Sequence, residues 1–286
     1  MLVVKRTFTF NIKPSVLPVK GLSVIIITYN EAKHIGRTLR AAWQVADEII
    51  IADSGSTDDT KKIAEEAGAV VYEQAWLGYG AQRNFAVSKA THSYILALDA
   101  DEELGEELIA AINQEKNAGF PAKAYIISRL NSYYGKFVHH GIGYPDNIER
   151  LYRKDIASWN KREVHETIVY SEKVDLKKLK GYLLHYTTDS ISDHTIKADR
   201  YSTLSARHYF EKGKKEPGIL KLVFSPAFRF FKSYILKAGF LDGWHGYILA
   251  KMHAKVVFDK YAKLKMLYRA RDHRPPTTVN RPAEGG

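Results

Sequence analysis

Two aspartates separated by one alanine follow an apolar run in the first half of the chain. The run is Tyr94–Asp99, and the pair is Asp99 and Asp101 with Ala100 between them. In an extended segment alternate side chains point the same way, so both carboxylates would face one ligand. Carboxylate oxygens bind hard divalent cations, and Mg²⁺ typically takes one or two of them plus waters and substrate phosphates. The triplet predicts a Mg²⁺ or Mn²⁺ site, although acidic residues here would also suit a helix start.

Polar residues also follow two other apolar runs. The run LSVIIITY leads into Thr28, Asn30 and Glu31, and the run EIIIAD ends in Asp53. Short, continuous runs rich in Ile and Val predict strands buried on both faces, as in a parallel sheet. Ligands of such sheets bind outside the carboxyl ends of the strands. The three polar clusters are therefore predicted to meet at one edge. The alternative for Asp53 is that it only caps the approach to the following helix.

The elements that must position these clusters alternate in type. Predicted strands at 22–29, 48–53, 69–73 and 94–99 are each followed by a helical segment. This alternation predicts an α/β, doubly wound sheet with helices on both faces. From about Phe120 the strands alternate in polarity, which predicts a mixed second half of the sheet. The segments concerned are 124–129, 148–154, 164–170 and 181–186.

The chain after Asp193 has a helical pattern. Ser225-Pro226 is predicted to start a helix that ends at Gly239, and a further helix is predicted over 242–270. These patterns predict an organisation in four parts: an N-terminal extension at 1–20, a catalytic domain at 21–190, a basic amphipathic helical module at 191–272 and a disordered tail at 273–286.

Composition excludes several classes of protein. The 286 residues contain no cysteine, which excludes disulfides and thiolate metal sites. The P-loop pattern is absent, and the first strand is followed by TYNEAKHIG, which lacks the glycine pattern of dinucleotide-binding folds. The N-terminus does not resemble a signal peptide, and no apolar run is long enough for a spanning helix.

Four segments in this order resemble glycosyltransferase family 2, whose members are inverting enzymes with the GT-A fold. They are IIITYNEA, IIIADSGSTDDT, GYGAQRN and ILALDADEEL. The similarity continues more weakly through RLYRK, WNKREVHE and SPAFRFFKSYILKAGFLDGWHGYILA, and the later part resembles the branch of lipopolysaccharide core β-1,4-glucosyltransferases. The resemblance implies a GT-A-type mixed sheet with a C-terminal helical extension, and a Mg²⁺- or Mn²⁺-dependent hexosyltransferase.

The resemblance assigns roles to individual residues. The nucleotide-sugar donor, expected to be a UDP-sugar, would be contacted at six positions: Thr28, Asn30, Glu31, Asp53, Arg83 and Asp99. Asp99 and Asp101 would form the DXD motif that holds the metal. Arg83 is equally compatible with a surface charge.

The acceptor hydroxyl must lose a proton as it attacks, so a base must lie within hydrogen-bond reach of it. Glu166 is the best match for this base, with Asp146 as the competing candidate. The alternative is that Glu166 only forms an ion pair with Lys161 or Arg162. His165 is expected on the acceptor side, and the pair His139-His140 could line that side or belong to a plain loop.

The positive charge of the chain belongs to its C-terminal helices. Of a formal net charge of +11, residues 212–271 account for all, with 14 Lys and Arg against 3 Asp and Glu. Basic, aromatic-rich helices bind anionic membrane interfaces. Arg229, Lys232, Lys251 and Lys255 are expected to contribute, although the helices could instead pack with a solvated basic face.

The resemblance also implies a lipid-linked saccharide acceptor and a cytoplasmic, peripheral location on the inner face of the cytoplasmic membrane. No nucleic-acid partner is expected. The alternatives are a nucleotidyltransferase, which would want a glycine-rich basic loop after the first strand, and a non-catalytic membrane- or RNA-binding protein, which would leave the acidic clusters unexplained.

Overall fold

The computed structural model describes residues 19–160 and 166–272. His165 and the expected tail at 273–286 lie outside these residues. Of the expected N-terminal extension at 1–20, only the last two residues are described. The strands, in chain order, are β1 Val19–Thr28, β2 Glu48–Asp53, β3 Val70–Glu73, β4 His92–Asp99, β5 Glu102–Leu104, β6 Ala124–Tyr133, β7 Lys136–Phe137, β8 Asp146–Arg153, β9 Ala157–Trp159, β10 Ile168–Tyr170 and β11 Leu176–Thr188. The α-helices are α1 Ile35–Ala42, α2 Thr60–Glu66, α3 Tyr79–Lys89, α4 Glu106–Asn117, α5 Ile191–Glu211, α6 Ile219–Phe231 and α7 Trp244–Asp272.

The predicted α/β fold with a mixed sheet is confirmed. The main sheet has the strand order β3-β2-β1-β4-β8-β6-β11-β5, and β7 pairs with β6. The pairs that join β3, β2, β1 and β4 are parallel, whereas β8 is antiparallel to β4. A separate hairpin-like pair joins β9 and β10. The sheet thus changes from parallel to antiparallel at the edge of β4, which carries Asp99.

Buried Ile, Leu and Val side chains explain why the first strands are central. Val24, Ile26, Ile49 and Leu96 belong to one apolar cluster beside the sheet, and alternate residues such as Ile25 and Ile95 belong to a second cluster. A strand with apolar side chains in both clusters must be covered on both faces. The continuous runs seen in the sequence have this cause.

Two boundaries differ from the sequence-based prediction. The residues after Asp101 were expected to start a helix, but Glu102–Leu104 form β5, which pairs antiparallel with β11 before α4 begins at Glu106. The predicted helix start at Ser225-Pro226 was wrong, because α6 begins at Ile219 and contains Pro226 in its interior. Proline at that position removes one helical hydrogen bond.

The residues group into two compact units. The first contains the chain up to Arg129 together with Asn147–His185, and the second contains Leu130–Asp146 and the chain from Tyr186 onward. The sequence predicts a boundary at 190/191 between the catalytic domain and the helical module, and the second unit resumes at Tyr186. The segment 130–146 belongs to the helical unit because its backbone forms hydrogen bonds with that unit. For example, the Tyr134 N–H donates to the Thr188 carbonyl.

Candidate active site

Strand register brings the three predicted polar clusters to one edge in the first unit. Thr28 lies opposite Asp53 on the neighbouring strand, and the preceding residue of β1, Ile27, lies opposite Asp99. The side-chain oxygen of Thr28 is buried and has no hydrogen-bond partner among the described residues. A buried hydroxyl in this state can donate to a bound ligand. The predicted convergence at the carboxyl ends of β1, β2 and β4 is therefore present.

Asp53 and Asn30 organise the loops at this edge. The fully buried Asp53 carboxylate accepts from the backbone N–H groups of Gly55 and Ser56 and from the Ser56 hydroxyl. Asn30 has a positive φ of 53°, its N–H donates to the Ser56 hydroxyl, and its side chain accepts from Thr57 N–H. These contacts lock the loops after β1 and β2 together. A direct contact of Asp53 with a nucleotide base stays a prediction.

Glu31 belongs to the same junction. Its N–H donates to the Thr60 hydroxyl at 2.8 Å, and its carbonyl accepts from the first residues of α1. The backbone of Glu31 thus ties the start of α1 to the start of α2. The predicted donor contacts of Asn30 and Glu31 remain predictions, located on a polar loop held by hydrogen bonds.

Helix α3 carries the GAQRN segment, and each of its polar residues has a structural partner. Gln82 donates to the Ser54 hydroxyl and the Gln74 carbonyl, which fixes the loop after β2. Asn84 exchanges two hydrogen bonds with the backbone of Trp159 and so fixes β9. Gly80 is required because a Cβ there would lie 2.0 Å from the Asn160 carbonyl oxygen. The segment therefore aligns α3 with both sides of the site.

Arg83 is buried at the centre of the site, which excludes the surface-charge interpretation. One of its terminal nitrogens donates to Asp99 Oδ1 at 2.6 Å and the other to Glu166 Oε1 at 2.6 Å. Its guanidinium carbon lies 4.7 Å from the centre of the Trp159 ring. Arg83 thus bridges the first aspartate of the triplet and the predicted base.

Asp99 is held by two arginines. Its second carboxylate oxygen accepts from Arg150 at 2.9 Å, and its backbone N–H donates to Glu102. Burial would raise the pKa of Asp99, but the charges of Arg150 and Arg83 outweigh burial and hold that pKa well below its usual value. For Arg150, burial would lower the pKa, and Asp99 and Glu102 raise it. Asp99 is therefore ionised at neutral pH, and both of its carboxylate oxygens accept hydrogen bonds from arginines.

Asp101 has different surroundings. Its carboxylate lies 3.3 Å from Nε2 of His185, which comes from β11, and both side chains are about one-fifth exposed. Among the described residues there is no cluster of three or more metal-ligating side chains. A carboxylate and an imidazole suit a divalent cation that takes its remaining ligands from water and a diphosphate. The residues present fit a metal at Asp101 better than at Asp99.

Glu166 lies at the rim of the site, with its side chain about one-fifth exposed. Its Oε1 is bound by Arg83, and its Oε2 makes no hydrogen bond with the described residues. Glu166 thus forms an ion pair with Arg83, whereas a pair with Lys161 or Arg162 stays untested because these two residues lie outside the described residues. A carboxylate held at one oxygen and open at the other can accept a proton.

Three functional candidates were missed by sequence reasoning: Glu102, Arg150 and His185. Glu102 is fully buried and accepts from Arg129 at 3.1 Å and Arg150 at 3.4 Å. A charged residue in an apolar strand, such as Arg150 in RLYRK, was the available signal, because a buried charge needs a partner. His185 offered no local signal.

The remaining predicted residues belong to the second unit. Asp146 begins β8 there. His139 and His140 are anchored by their backbone N–H groups to the buried carboxylate of Asp242. This anchoring accounts for both histidines as parts of a fixed loop, and their role on the acceptor side stays a prediction.

The mixed sheet, which is parallel up to β4 and antiparallel beyond it, fits a GT-A-type fold. A family model described as "Glycosyl transferase family 2" matches residues 23–168. The chain belongs to glycosyl transferase family 2.

Relatives with similar sequences extend over most of the chain. An "Uncharacterized glycosyltransferase" of Rickettsia felis is 35% identical over 260 residues, which cover 85% of this chain and 89% of the relative. The "Lipopolysaccharide core biosynthesis glycosyltransferase LpsC" of Rhizobium meliloti is 29% identical over 273 residues, 86% of this chain and 95% of the relative. Among solved structures, S. aureus TarS 1-349 in complex with UDP is 16% identical, with a TM-score of 0.44 over 88% of this chain and 92% of that chain.

Proposed function

We propose that this glycosyltransferase moves a hexose, glucose in the first instance, from a UDP-sugar to a hydroxyl of a lipid-linked saccharide such as the lipopolysaccharide inner core. We propose further that the transfer inverts the anomeric centre and depends on Mg²⁺ or Mn²⁺. The observation that carries the proposal is the ionic chain Asp99–Arg83–Glu166, with both contacts at 2.6 Å. It holds the Glu166 carboxylate by one oxygen beside the edge where a donor diphosphate would bind.

The chemistry assigns each group a task. In an inverting displacement the acceptor oxygen forms a bond to the anomeric carbon while the bond to the diphosphate breaks and its electrons leave with the diphosphate. The acceptor proton passes to a base, which we assign to Glu166 Oε2. Arg83 and Arg150 hold Asp99 in place, and Glu102 holds Arg150 and the Asp99 backbone.

The metal would be held by Asp101 and His185. A divalent cation, when bound there, would supply positive charge that offsets the charge of the departing diphosphate. Asp99 has both oxygens bound by arginines, so its contribution to the metal would be through water or through the donor. The nitrogen ligand from His185 favours Mn²⁺ over Mg²⁺, because Mg²⁺ prefers oxygen ligands.

The lipid-linked acceptor is supported by the name of the relative LpsC, which refers to the lipopolysaccharide core. We propose the corresponding location, peripheral on the cytoplasmic face of the membrane. The hexose, the linkage and the position on the acceptor are open within this proposal.

The test is a panel of UDP-sugars, each with Mn²⁺, Mg²⁺ or EDTA, in which binding is measured by calorimetry and hydrolysis by UDP release. We expect one UDP-hexose to bind only with metal. Glu166→Gln should retain this binding and lose about 10²–10⁴-fold in turnover. Glu172→Gln is the matched control, because Glu172 is an exposed carboxylate of the same unit that pairs with Lys123 and Arg153.

Asp146→Asn decides between the two candidate bases. If Asp146→Asn abolishes turnover while Glu166→Gln does not, the assignment of the base moves to Asp146. If no UDP-sugar binds with any metal, the proposed donor is wrong.

A further inference from the structure

The second unit has an unusually exposed apolar surface. Here the apolar face denotes large apolar side chains that are 46–68% exposed: Ile219, Leu220, Val223, Phe224, Phe228, Phe231, Ile235, Leu236, Phe240, Leu241 and Trp244. None of the residues of α6 is buried. Single exposed apolar residues are normal on a protein surface, but a continuous series of this size marks an interaction site.

Helical spacing places these side chains on one side of α6. Residues 219, 220, 223, 224, 228 and 231 recur at intervals of three and four, which is one stripe of an α-helix. A π-helical turn at Lys232–Leu236 and a 3₁₀ turn at Gly239–Asp242 continue the series toward α7. The opposite side of α6 packs against α7. The face therefore lies along the surface of the unit.

The charge around this face has one sign. Residues 217–241 contain Lys221, Arg229, Lys232 and Lys237 and no acidic residue, and the first acid after them, Asp242, is buried. A two-fold dimer through this face would bring like charges together, which is unfavourable. An anionic surface would match the charges, and Phe, Leu and Trp flanked by Lys and Arg are typical of helices in the membrane interface.

We propose that the apolar face is a membrane-docking surface that inserts in the plane of an anionic lipid interface. This inference rests on the proposed function, because docking on a membrane would bring the protein to a lipid-linked acceptor. None of the described helices is long and apolar enough to cross a membrane. Phe224, Phe228 and Trp244 are the expected insertion residues, and Lys232 and Lys237 are expected to contact anionic headgroups.

The experiment is sedimentation of the full chain with vesicles of phosphatidylethanolamine and phosphatidylglycerol, compared with pure phosphatidylcholine. We expect binding to the anionic vesicles that weakens at least about tenfold in the double variant Phe224→Ser/Phe228→Ser. Lys232→Gln and Lys237→Gln should each weaken binding by about fivefold at low salt. The matched control is Ile196→Ser/Tyr201→Ser, since these residues of α5 are 69% and 63% exposed and lie outside the apolar face. It should bind within about twofold of the wild type.

Insertion depth gives a second readout. Lipids brominated in the acyl chain should quench fluorescence of the wild type more than that of Trp244→Phe. The difference reports whether Trp244 enters the lipid. Equal quenching of the two proteins would contradict insertion of this end of the face.

Two results would overturn the proposal. One is equal binding of the wild type and Phe224→Ser/Phe228→Ser to anionic vesicles, or no binding of either. The other is a wild-type dimer, seen by analytical ultracentrifugation, that the same double variant converts to a monomer, which would assign the face to a second copy. UDP-sugar hydrolysis without lipid tests the proposed function separately, because Phe224 and Phe228 belong to the second unit and not to the candidate active site.

Discussion

Replacement of Arg83 by methionine tests the central ion network most directly. Arg83 is almost fully buried and makes two ionic contacts of 2.6 Å, to Asp99 and Glu166. Removing one partner of a buried pair typically costs about 3–5 kcal/mol, because an uncompensated charge is left behind. Here Asp99 keeps Arg150 and Glu166 can be hydrated at the rim, so the lower end of that range, about 3 kcal/mol, is expected for the free energy of unfolding.

The assay is urea denaturation followed by circular dichroism and tryptophan fluorescence. Arg83→Lys should recover only part of the lost stability. Lysine keeps the positive charge, but its ammonium group cannot span both carboxylates as a guanidinium does. Lys62→Met is the control, since Lys62 is an exposed basic residue of α2 in the same unit. It should change the stability by less than about 0.5 kcal/mol.

The pH dependence gives the sign of the effect. The pKa of Asp99 is lowered from its ordinary 3.8, so its stabilising effect is present above pH 3.8 and is lost as the pH falls through the lower folded value. Arg83→Met removes part of this lowering and should lose less stability in acid. The difference between wild type and variant should therefore shrink below about pH 4. A loss under about 1 kcal/mol at neutral pH, or a difference that does not shrink in acid, would refute the network argument.

Three further outcomes are expected. His185→Ala should weaken Mn²⁺ binding at least about tenfold, measured by calorimetry without nucleotide, whereas the control His208→Ala, at an exposed site of α5, should not. Equal affinities of the two variants would show that His185 does not bind the metal. Gly80→Ala should lower the free energy of unfolding by about 1–3 kcal/mol because its Cβ would overlap a carbonyl oxygen, whereas Gly36→Ala in α1 has room and should be neutral or stabilising. Similar Tm values for the two variants would contradict the close approach at Gly80. Burial lowers the pKa of His253 to about 4, so the unfolded chain takes up a proton at higher pH than the folded protein, and stability should fall between pH 6.5 and about 4. His253→Leu should flatten this part of the stability profile, and an unchanged slope would exclude His253 as the cause.

Local sequence pattern determined the strands and the edge at which the polar clusters meet. Runs of Ile and Val identified β1, β2 and β4, and β2 has the predicted bounds Glu48–Asp53. Alternation of strands and helices was enough to predict a parallel sheet, and parallel strands necessarily bring their carboxyl ends together. The GAQRN and DAD segments indicated the family because each is short and continuous in the chain: GAQRN lies within α3, and DAD begins at the last residue of β4.

The pairing of charges at the site was decided only by the tertiary structure. The sequence placed Asp99 and Asp101 together as metal ligands, whereas the fold brings Arg83 and Arg150 to Asp99 and His185 to Asp101. These contacts join residues far apart in the chain, and they depend on strand order and register, which local propensity does not encode. The apolar stripe of α6 could be seen in the sequence, but only packing reveals that it is left uncovered, because a buried and an exposed stripe have the same periodicity.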